Sequence, residues 1–230
     1  MIEIDMYKIE IINNYNNDKF CQLKKLIRKF AIDVFIVQKF NLANESNHKK
    51  EKYINNYKKY LSAVELNYLE KDINERIEFL TNSIKATDKD KKTRYYILLN
   101  EEKVIAFQTA QVRKENNRIE GWRNFAYTDN NYKGKVCDVI DTFGNIRKGI
   151  ISNLLYENIT KWFIEENVVI EKTATGKNMY KNIKIYIVKK GFIPEKYDDK
   201  RIYLIKDYKK NNSRSELKHI YENYINEFKR

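Results

Sequence analysis

Residues that usually interrupt secondary structure are scarce in this sequence. Its 230 residues include six glycines and one proline. Because these two residue types mark most turns, their scarcity favours long helices and regular strands. The sequence has two histidines, His48 and His219, which argues against a histidine-based metal site or a Ser-His-Asp triad.

Cysteine and long apolar runs are also scarce. Cys21 and Cys137 lie far apart, and neither belongs to a Cys-x-x-Cys pair, so we expect two reduced thiols. No apolar run approaches the length of a membrane span, and Met1–Asp5 is unlike a secretory signal. We therefore expect a soluble, cytoplasmic protein, with signal-independent export left open.

Positive charge and aromatic residues are abundant. The formal net charge is +13, and there are 18 tyrosines and 11 phenylalanines. A basic surface favours an acidic or nucleic-acid partner. A coding bias explains the same excess, because Lys, Asn, Ile and Tyr have A/T-rich codons and the basic residues are spread along the chain. Both interpretations stay open.

Hydrophobic periodicity predicts a mixed order of elements. The predicted strands are 7–12, 94–99, 104–112, 119–127, 136–143, 168–174 and 201–205. One predicted helix begins at Asp18. The other predicted helical regions are 50–86 (one helix or two), 147–166, 177–189 and 215–228. This order predicts an α/β fold of the α+β type, with a mostly antiparallel central sheet flanked by helices. We expect one domain over 1–210, with a helical insert at about 41–90, followed by a C-terminal helix within 211–230.

One stretch, Arg147-Lys148-Gly149-Ile150-Ile151-Ser152, lies between a predicted strand and an amphipathic helix. The amides of a first helical turn have no partner within the helix, and the helix dipole favours negative charge there. The stretch resembles the pyrophosphate loop of the GNAT acyltransferase superfamily, Arg/Gln-x-x-Gly-x-Gly/Ala. Aligned on Gly149, the three motif positions hold Ile146, Gly149 and Ile151. Aligned on Arg147, they hold Arg147, Ile150 and Ser152. The alternative is an ordinary helix start.

Three further segments extend the resemblance to GNAT proteins over most of the chain. The first strand and helix are similar to the start of the family's fold. Ile105-Ala106-Phe107 stands where the family has Val-Gly-Phe. Tyr186 to Phe192 resembles its Tyr-x-x-x-Gly-Phe ending, with one extra residue before Gly191.

The resemblance implies an acyl-CoA cofactor, most simply acetyl-CoA, held where two neighbouring strands splay apart. The implied strand ends are 140–142 and 172–175. The residues implied to bind the cofactor are Asp141, Thr142, Ile146, Arg147, Lys148, Gly149, Ile150, Ile151, Ser152 and Asn178. Asn178 is alternatively only a helix cap.

The same resemblance implies two catalytic residues. A strand carboxylate takes the proton of the acceptor amine. Asp138 and Asp141 are candidates on opposite faces of their strand, and Asp138 is favoured. Tyr186 is the predicted proton donor to the leaving thiolate, with Tyr180 in reserve. Salt-bridged carboxylates and packed tyrosines are the structural alternatives.

The predicted function is transfer of an acyl group from CoA to a primary amine of a protein, an RNA-linked group or a small molecule. A polycationic acceptor is disfavoured, because the sequence has no dense acidic cluster. The alternatives are an inactive, basic GNAT-like module that binds nucleic acid or a protein, and an unrelated α/β interaction protein. The sequence does not indicate an oligomeric state.

Overall fold

A computed structural model describes residues 7–12, 18–85, 91–115 and 117–228, which form a nine-stranded sheet with helices on both faces. The strands are β1 (Tyr7–Ile11), β2 (Lys91–Asn100), β3 (Lys103–Glu115), β4 (Arg118–Thr128), β5 (Val136–Ile140), β6 (Ile146–Ile150), β7 (Ile170–Gly176), β8 (Ile193–Tyr197) and β9 (Arg201–Asp207). The helices are α1 (Asp18–Lys39), α2 (Asn47–Asn55), α3 (Tyr57–Tyr60), α4 (Ala63–Lys85), α5 (Ile151–Glu165), α6 (Tyr180–Lys184) and α7 (Arg214–Phe228).

The strand order in the sheet is β6-β5-β1-β2-β3-β4-β7-β9-β8. Two neighbouring pairs, β1–β5 and β4–β7, are parallel, and the other pairs are antiparallel. The predicted α/β class with a mostly antiparallel sheet is therefore confirmed.

The two faces of the sheet are covered by different helices. On one face, α1 and α4 bury Phe20, Leu23 and Leu80 against the side chains of β2 and β3. On the other face, α5 buries Ile159 and Trp162. The π-helical segment Ile185–Lys189 and α7 share an apolar cluster with Tyr156 of α5.

The predicted helical region 50–86 contains separate helices. Ser62 and Glu65 form a capping box at the start of α4, in which the Ser62 N–H donates to the Glu65 carboxylate at 2.8 Å. This cap separates α4 from the short α3. The region therefore contains three successive helices, α2, α3 and α4, and not the one or two that were predicted.

The segment after β4 departs from the prediction. The strand predicted at 136–143 ends at Ile140, and Arg147–Ile150, predicted as a helix start, is strand β6. The Asp141 carboxylate accepts the N–H groups of Phe143 and Asn145, at 3.0 and 2.9 Å, and closes a hairpin. Gly144 supplies the positive φ of 81° that this turn needs. The helix therefore begins at Ile151.

The predicted neighbours of this segment are also wrong. β5 pairs with β1 and β6, whereas the neighbours of β7 are β4 and β9. The hairpin β5–β6 extends the sheet beyond β1. Splayed strands at 136–143 and 168–174, as the prediction required, are therefore absent.

Candidate functional site

A divergence of two central strands takes place elsewhere, between β4 and β7. Their parallel register runs from Glu120–Ile170 to Arg123–Thr173 and stops there. Both strands continue, but β4 then pairs with β3 and β7 pairs with β9. We call the residues beyond the register, 124–128 of β4 and 174–176 of β7, the splayed ends.

A β-bulge explains where the strands part. Gln108 of β3 pairs with Ala126, but Ala110 pairs with Arg123, so β4 carries one extra residue. The Thr109 hydroxyl accepts the N–H of Phe125 at 3.0 Å within this bulge. Because a bulge bends its strand, β4 turns away from β7 directly after Arg123.

The splayed ends expose residues that a central strand would normally bury. Ala126 is exposed, and Asn124, Ala174, Thr175 and Gly176 are partly exposed. Three of these five have no side chain beyond Cβ. The sheet therefore has a narrow opening, lined by small residues, at the end where β4 and β7 finish.

Backbone amides of β4 face this opening. The N–H of Phe125 donates to Thr109, and the N–H of Asp129 donates to the Ile105 carbonyl at 2.8 Å, so both point towards β3. Because alternate residues of a strand point their amides to opposite sides, those of Ala126 and Thr128 point towards β7. The register with β7 has already ended there, which leaves these amides available to a ligand.

A buried ion pair holds the strands together just before they part. Arg123 and Glu171 have side chains that are 1% and 0% exposed. Arg123 also donates to the Tyr156 carbonyl at 3.0 Å and to the Thr160 hydroxyl at 2.7 Å. The Tyr208 hydroxyl donates to Glu171 at 2.6 Å. Each charged group is thus hydrogen-bonded, as burial requires.

Glycine allows α5 to lie close to this pair. A Cβ atom on Gly121 of β4 would lie 2.8 Å from the Phe163 ring of α5. Any other residue would push the helix away from the strand.

The predicted proton donor, Tyr186, lies next to the start of the splay. Burial raises the pKa of its phenol, and a hydrogen bond with Thr173 opposes that rise. Thr173 is the last β7 residue paired with β4, and its hydroxyl donates to the Arg123 carbonyl at 3.2 Å.

The extra residue before Gly191 is accommodated by the π-helical segment, whose turns take one more residue than an α-helix. Tyr180 donates to the Phe228 carbonyl at 3.0 Å.

A carboxylate on the α1 face of the sheet was missed by the sequence reasoning. Asp33 of α1 accepts the hydroxyl of Tyr127 at 2.8 Å. Tyr127 lies in the splayed end of β4, between Ala126 and Thr128. Burial raises the pKa of Asp33. The hydrogen bond from Tyr127 and the nearby charges of Lys133 and Lys29 oppose that rise, whereas the charge of Asp129 adds to it. A signal was present, because Asp33 is the one charged residue in the apolar run 30–37.

The N-terminus of α5 lies at the same end of the sheet as the splayed ends, because β6 runs in the direction of β4. Ile150 is its N-cap residue and provides no side-chain hydrogen bond. The side chain of Ile151 is 1% exposed and packs in the core, so it points away from the amides of the first turn. Ser152 and Asn153 are exposed.

Several predicted site residues lie away from the splay. Asp138 is on β5, about 19 Å from β4 across four strand spacings. Asp141 and Thr142 follow β5 at the opposite end of the sheet, where Asp141 pairs with Lys161 at 2.7 Å. Ile146 begins β6 at that same end and is 65% exposed.

The other predicted residues lie at or towards the end of the sheet where β4 and β7 finish, although β6 is the edge strand, five places from β4. Gly149, Ile150, Ile151 and Ser152 lie where β6 passes into α5, after Arg147 and Lys148 on β6. Asn178 follows β7, and its amide lies 3.4 Å from the Asn41 side-chain oxygen. The site predicted as one segment is therefore divided between two ends of the sheet.

No group of three or more His, Cys, Asp and Glu side chains among the described residues is arranged to hold a metal ion. Within the same residues, no helix combines the length and apolar character of a membrane span.

No protein-family model matches the sequence, and no curated protein matches it significantly. Similar solved structures include PaiA N-acetyltransferase from Thermoplasma acidophilum in complex with coenzyme A, at 17% identity and a TM-score of 0.47, covering 87% of this chain and 99% of that one. A probable acetyltransferase from Staphylococcus epidermidis is 12% identical, with a TM-score of 0.49 and coverage of 88% and 99%. An acetyltransferase from Thermus thermophilus is 10% identical, with a TM-score of 0.49 and coverage of 87% and 97%. At this distance, an argument about function rests on the site.

Proposed function

We propose that this protein is an acyl-CoA-dependent N-acyltransferase that moves an acyl group, most simply acetyl from acetyl-CoA, to a primary amine. The observation that carries the proposal is the pair of splayed ends in the middle of the sheet. An extended, amide-bearing chain fits between two strands that expose unpaired backbone groups. The pantetheine arm of CoA has this shape and chemistry.

The free amides of β4 have two uses in this proposal. One binds an amide carbonyl of the pantetheine arm, and the other polarises the thioester carbonyl. A backbone N–H fixed in place stabilises the negative charge that develops on that oxygen. Ala126 suits the position because its methyl group leaves room for the ligand.

The phosphates of the cofactor bind at the N-terminus of α5 in this proposal. The N–H groups of Ile151, Ser152 and Asn153 belong to a first turn that has no side-chain cap. Arg147 on β6 adds positive charge, part of which its ion pair with Glu157 of α5 at 3.6 Å compensates. The buried side chain of Ile151 leaves its backbone open, so the absence of glycine at this position is not an obstacle.

Proton transfer requires a base and an acid. The amine nitrogen attacks the thioester carbon, a C–N bond forms and the C–S bond breaks. Asp33, hydrogen-bonded to Tyr127, receives the proton that the nitrogen loses, directly or through a water molecule. Tyr186 gives a proton to the departing thiolate, and its raised pKa keeps the phenol protonated until then. Asp33 replaces Asp138 as our candidate base because it adjoins the splay.

Calorimetry of acetyl-CoA binding tests the proposal, with Ser152→Glu as the blocking variant. A carboxylate in a first turn stabilises the helix yet repels the cofactor phosphates, so binding is lost while the fold is kept. Gly149→Glu is less suitable, because an added Cβ would lie 3.2 Å from Leu154. Lys114→Glu, at the opposite end of the sheet, is the matched control.

Binding that Ser152→Glu abolishes and Lys114→Glu retains would support the proposal, and thiol release with a panel of amines would then identify acceptors. Absence of binding at millimolar acetyl-CoA would overturn it. Salt-sensitive binding of single-stranded RNA would in that case favour the basic binding module.

A further inference from the structure

Three lysines from three different segments converge beside the splayed ends. Lys50 belongs to α2, Lys133 to the loop that follows β4, and Lys181 to the first turn of α6, which follows β7. Both Lys133 and Lys181 act electrostatically on Lys50. The contact between Asn41 and Asn178 brings the α1–α2 connection to the end of β7.

Close ion-pair partners are lacking for these three positive charges among the described residues. Lys50 is partly buried, and its ammonium group donates to the Ala43 carbonyl at 3.1 Å. The ammonium group of Lys133 donates to the Asn130 side-chain oxygen. Within the described part of the chain, none of the three forms an ion pair with a carboxylate within 4 Å. Burial and the neighbouring lysines lower the pKa of Lys50, and the charge of Glu45 opposes that fall. Converging cations that have no close ion-pair partner repel one another, and a bound anion relieves that repulsion.

We propose that Lys50, Lys133 and Lys181 bind an anionic group of the acceptor, a phosphate or a carboxylate close to its reactive amine. The inference rests on the proposed acyltransferase function and names the class of acceptor. Lysines recognise such groups as point charges, so phosphate and carboxylate share the relevant chemistry.

The position of the cluster favours the acceptor over the cofactor phosphates. The ammonium group of Lys133 lies 5.1 Å from the centre of the Tyr127 ring, and Tyr127 packs against Phe30 of α1. This is the face of the sheet that carries Asp33. The proposed phosphate site at the N-terminus of α5 belongs to the opposite face. An anion held by the lysines therefore places an attached amine near the proposed base.

Binding of O-phosphoethanolamine and ethanolamine to the full chain saturated with CoA tests this inference, with calorimetry as the measurement. The two probes share an amine and differ in the phosphate. We expect O-phosphoethanolamine to bind at least about 10-fold more tightly. Lys50→Gln, Lys133→Gln and Lys181→Gln should each weaken that binding about 5-fold and leave the affinity for acetyl-CoA unchanged.

Lys114→Gln is the matched control, since it removes one exposed lysine at the far end of the sheet and should change neither affinity. Equal binding of the two probes by a protein that binds acetyl-CoA would overturn the inference, and the proposed function would be unaffected. Weaker acetyl-CoA binding in the three variants, with the preference between probes intact, would overturn it by assigning the lysines to the cofactor. A wild-type protein that does not bind acetyl-CoA would overturn both proposals.

Discussion

The two halves of the β4–β7 pair differ although they belong to the same strands. In the paired half, Glu120 and Lys172 form an ion pair at 2.8 Å, and Arg123 and Glu171 are buried against each other. In the splayed half, the strands present small residues that are not buried, such as the exposed Ala126 and the partly exposed Ala174. The paired half fixes the point of divergence, which allows the other half to stay open without loosening the sheet.

Threonine hydroxyls satisfy the polar backbone at this boundary. Thr173 donates to the Arg123 carbonyl, and Thr109 accepts the Phe125 N–H. A strand that leaves its neighbour normally leaves buried polar groups unpaired, at a cost of about 1–3 kcal/mol each. The two side chains avoid that cost for these two backbone groups, so the point of divergence is a built feature of the fold.

Removing the arginine from the paired half should have the largest effect. Arg123→Met leaves the Glu171 carboxylate buried without its partner, and we expect a loss of about 3–5 kcal/mol in the free energy of unfolding. Urea denaturation measures the change. The double variant Arg123→Met/Glu171→Leu removes both charges and should recover at least half of the loss. A single variant destabilised by less than about 1 kcal/mol would contradict the anchoring role.

Filling the splayed half should affect binding rather than stability. Ala126→Trp places a ring where the pantetheine arm is proposed to lie, and we expect acetyl-CoA affinity to fall at least about 100-fold, or about 2.7 kcal/mol. Because Ala126 is exposed, the free energy of unfolding should change by no more than about 0.5 kcal/mol. Calorimetry and urea denaturation give the two values, with Lys114→Trp as the control for an added surface ring. Unchanged affinity would place the cofactor elsewhere.

Asp33→Asn tests the base at the edge of the splayed half. We expect kcat to fall about 100-fold, with little change in acetyl-CoA affinity. In the wild type, kcat/KM should decline as the pH falls through the raised pKa of Asp33, and this limb should be absent in the variant. Steady-state rates from pH 5 to 9 measure both. Asp138→Asn should change kcat less than about twofold, because Asp138 lies on a distant strand.

The same carboxylate has a consequence for stability. The pKa of Asp33 is higher in the folded state than in the unfolded state, so protonation of Asp33 stabilises the folded state. This stabilisation is complete at pH values below the unfolded-state pKa, and it is lost as the pH rises through the folded-state pKa. The stability of the wild type relative to Asp33→Asn should therefore decrease between pH 4 and pH 7. Urea denaturation at the two pH values checks the sign, and an increase would contradict burial as the dominant cause.

Altering the bulge should give the smallest effect. Thr109→Val keeps the shape of the side chain but removes the acceptor of the Phe125 N–H, and we expect a loss of about 1 kcal/mol in stability. Thr93→Val on the neighbouring strand is the control. Acetyl-CoA affinity should fall severalfold, because the position of the β4 amides depends on the bulge. Denaturation and calorimetry together show whether the bulge matters for stability, binding or both.

Local sequence patterns predicted most helices and strands, but they did not predict which strands pair with each other. The strands at 94–99, 104–112 and 119–127 and the helix before residue 166 are confirmed, because their periodicity is local. The pairing of β5 with β1 joins residues from opposite halves of the chain, which periodicity does not encode. The hairpin signal was available in Asp141-Thr142-Phe143-Gly144-Asn145, where an aspartate and a glycine fit a tight turn.

The sequence predicted the kinds of chemical group in the site better than it predicted their positions in the fold. A resemblance centred on Gly149 located the N-terminus of α5 within four residues, yet it assigned the splay to the wrong strand. Tyr186 lies beside the splay, whereas Asp33 was missed because a helix residue reaches β4 only through the folded packing of Tyr127. The roles of these residues stay predictions.

The hairpin β5–β6 changes how the chain must fold. Because it adds two strands beyond β1, the first strand is internal, with Lys8 paired to Leu99 on one side and Ile140 on the other. Contacts between residues so far apart in sequence form slowly, since a long loop must close first. During synthesis on the ribosome, the first strand therefore lacks both neighbours until β2 emerges, and it lacks β5 until more than half of the chain has emerged. The sheet can close only after the hairpin has been translated, which makes its completion a late event and leaves the newly made N-terminal strand in need of protection until then.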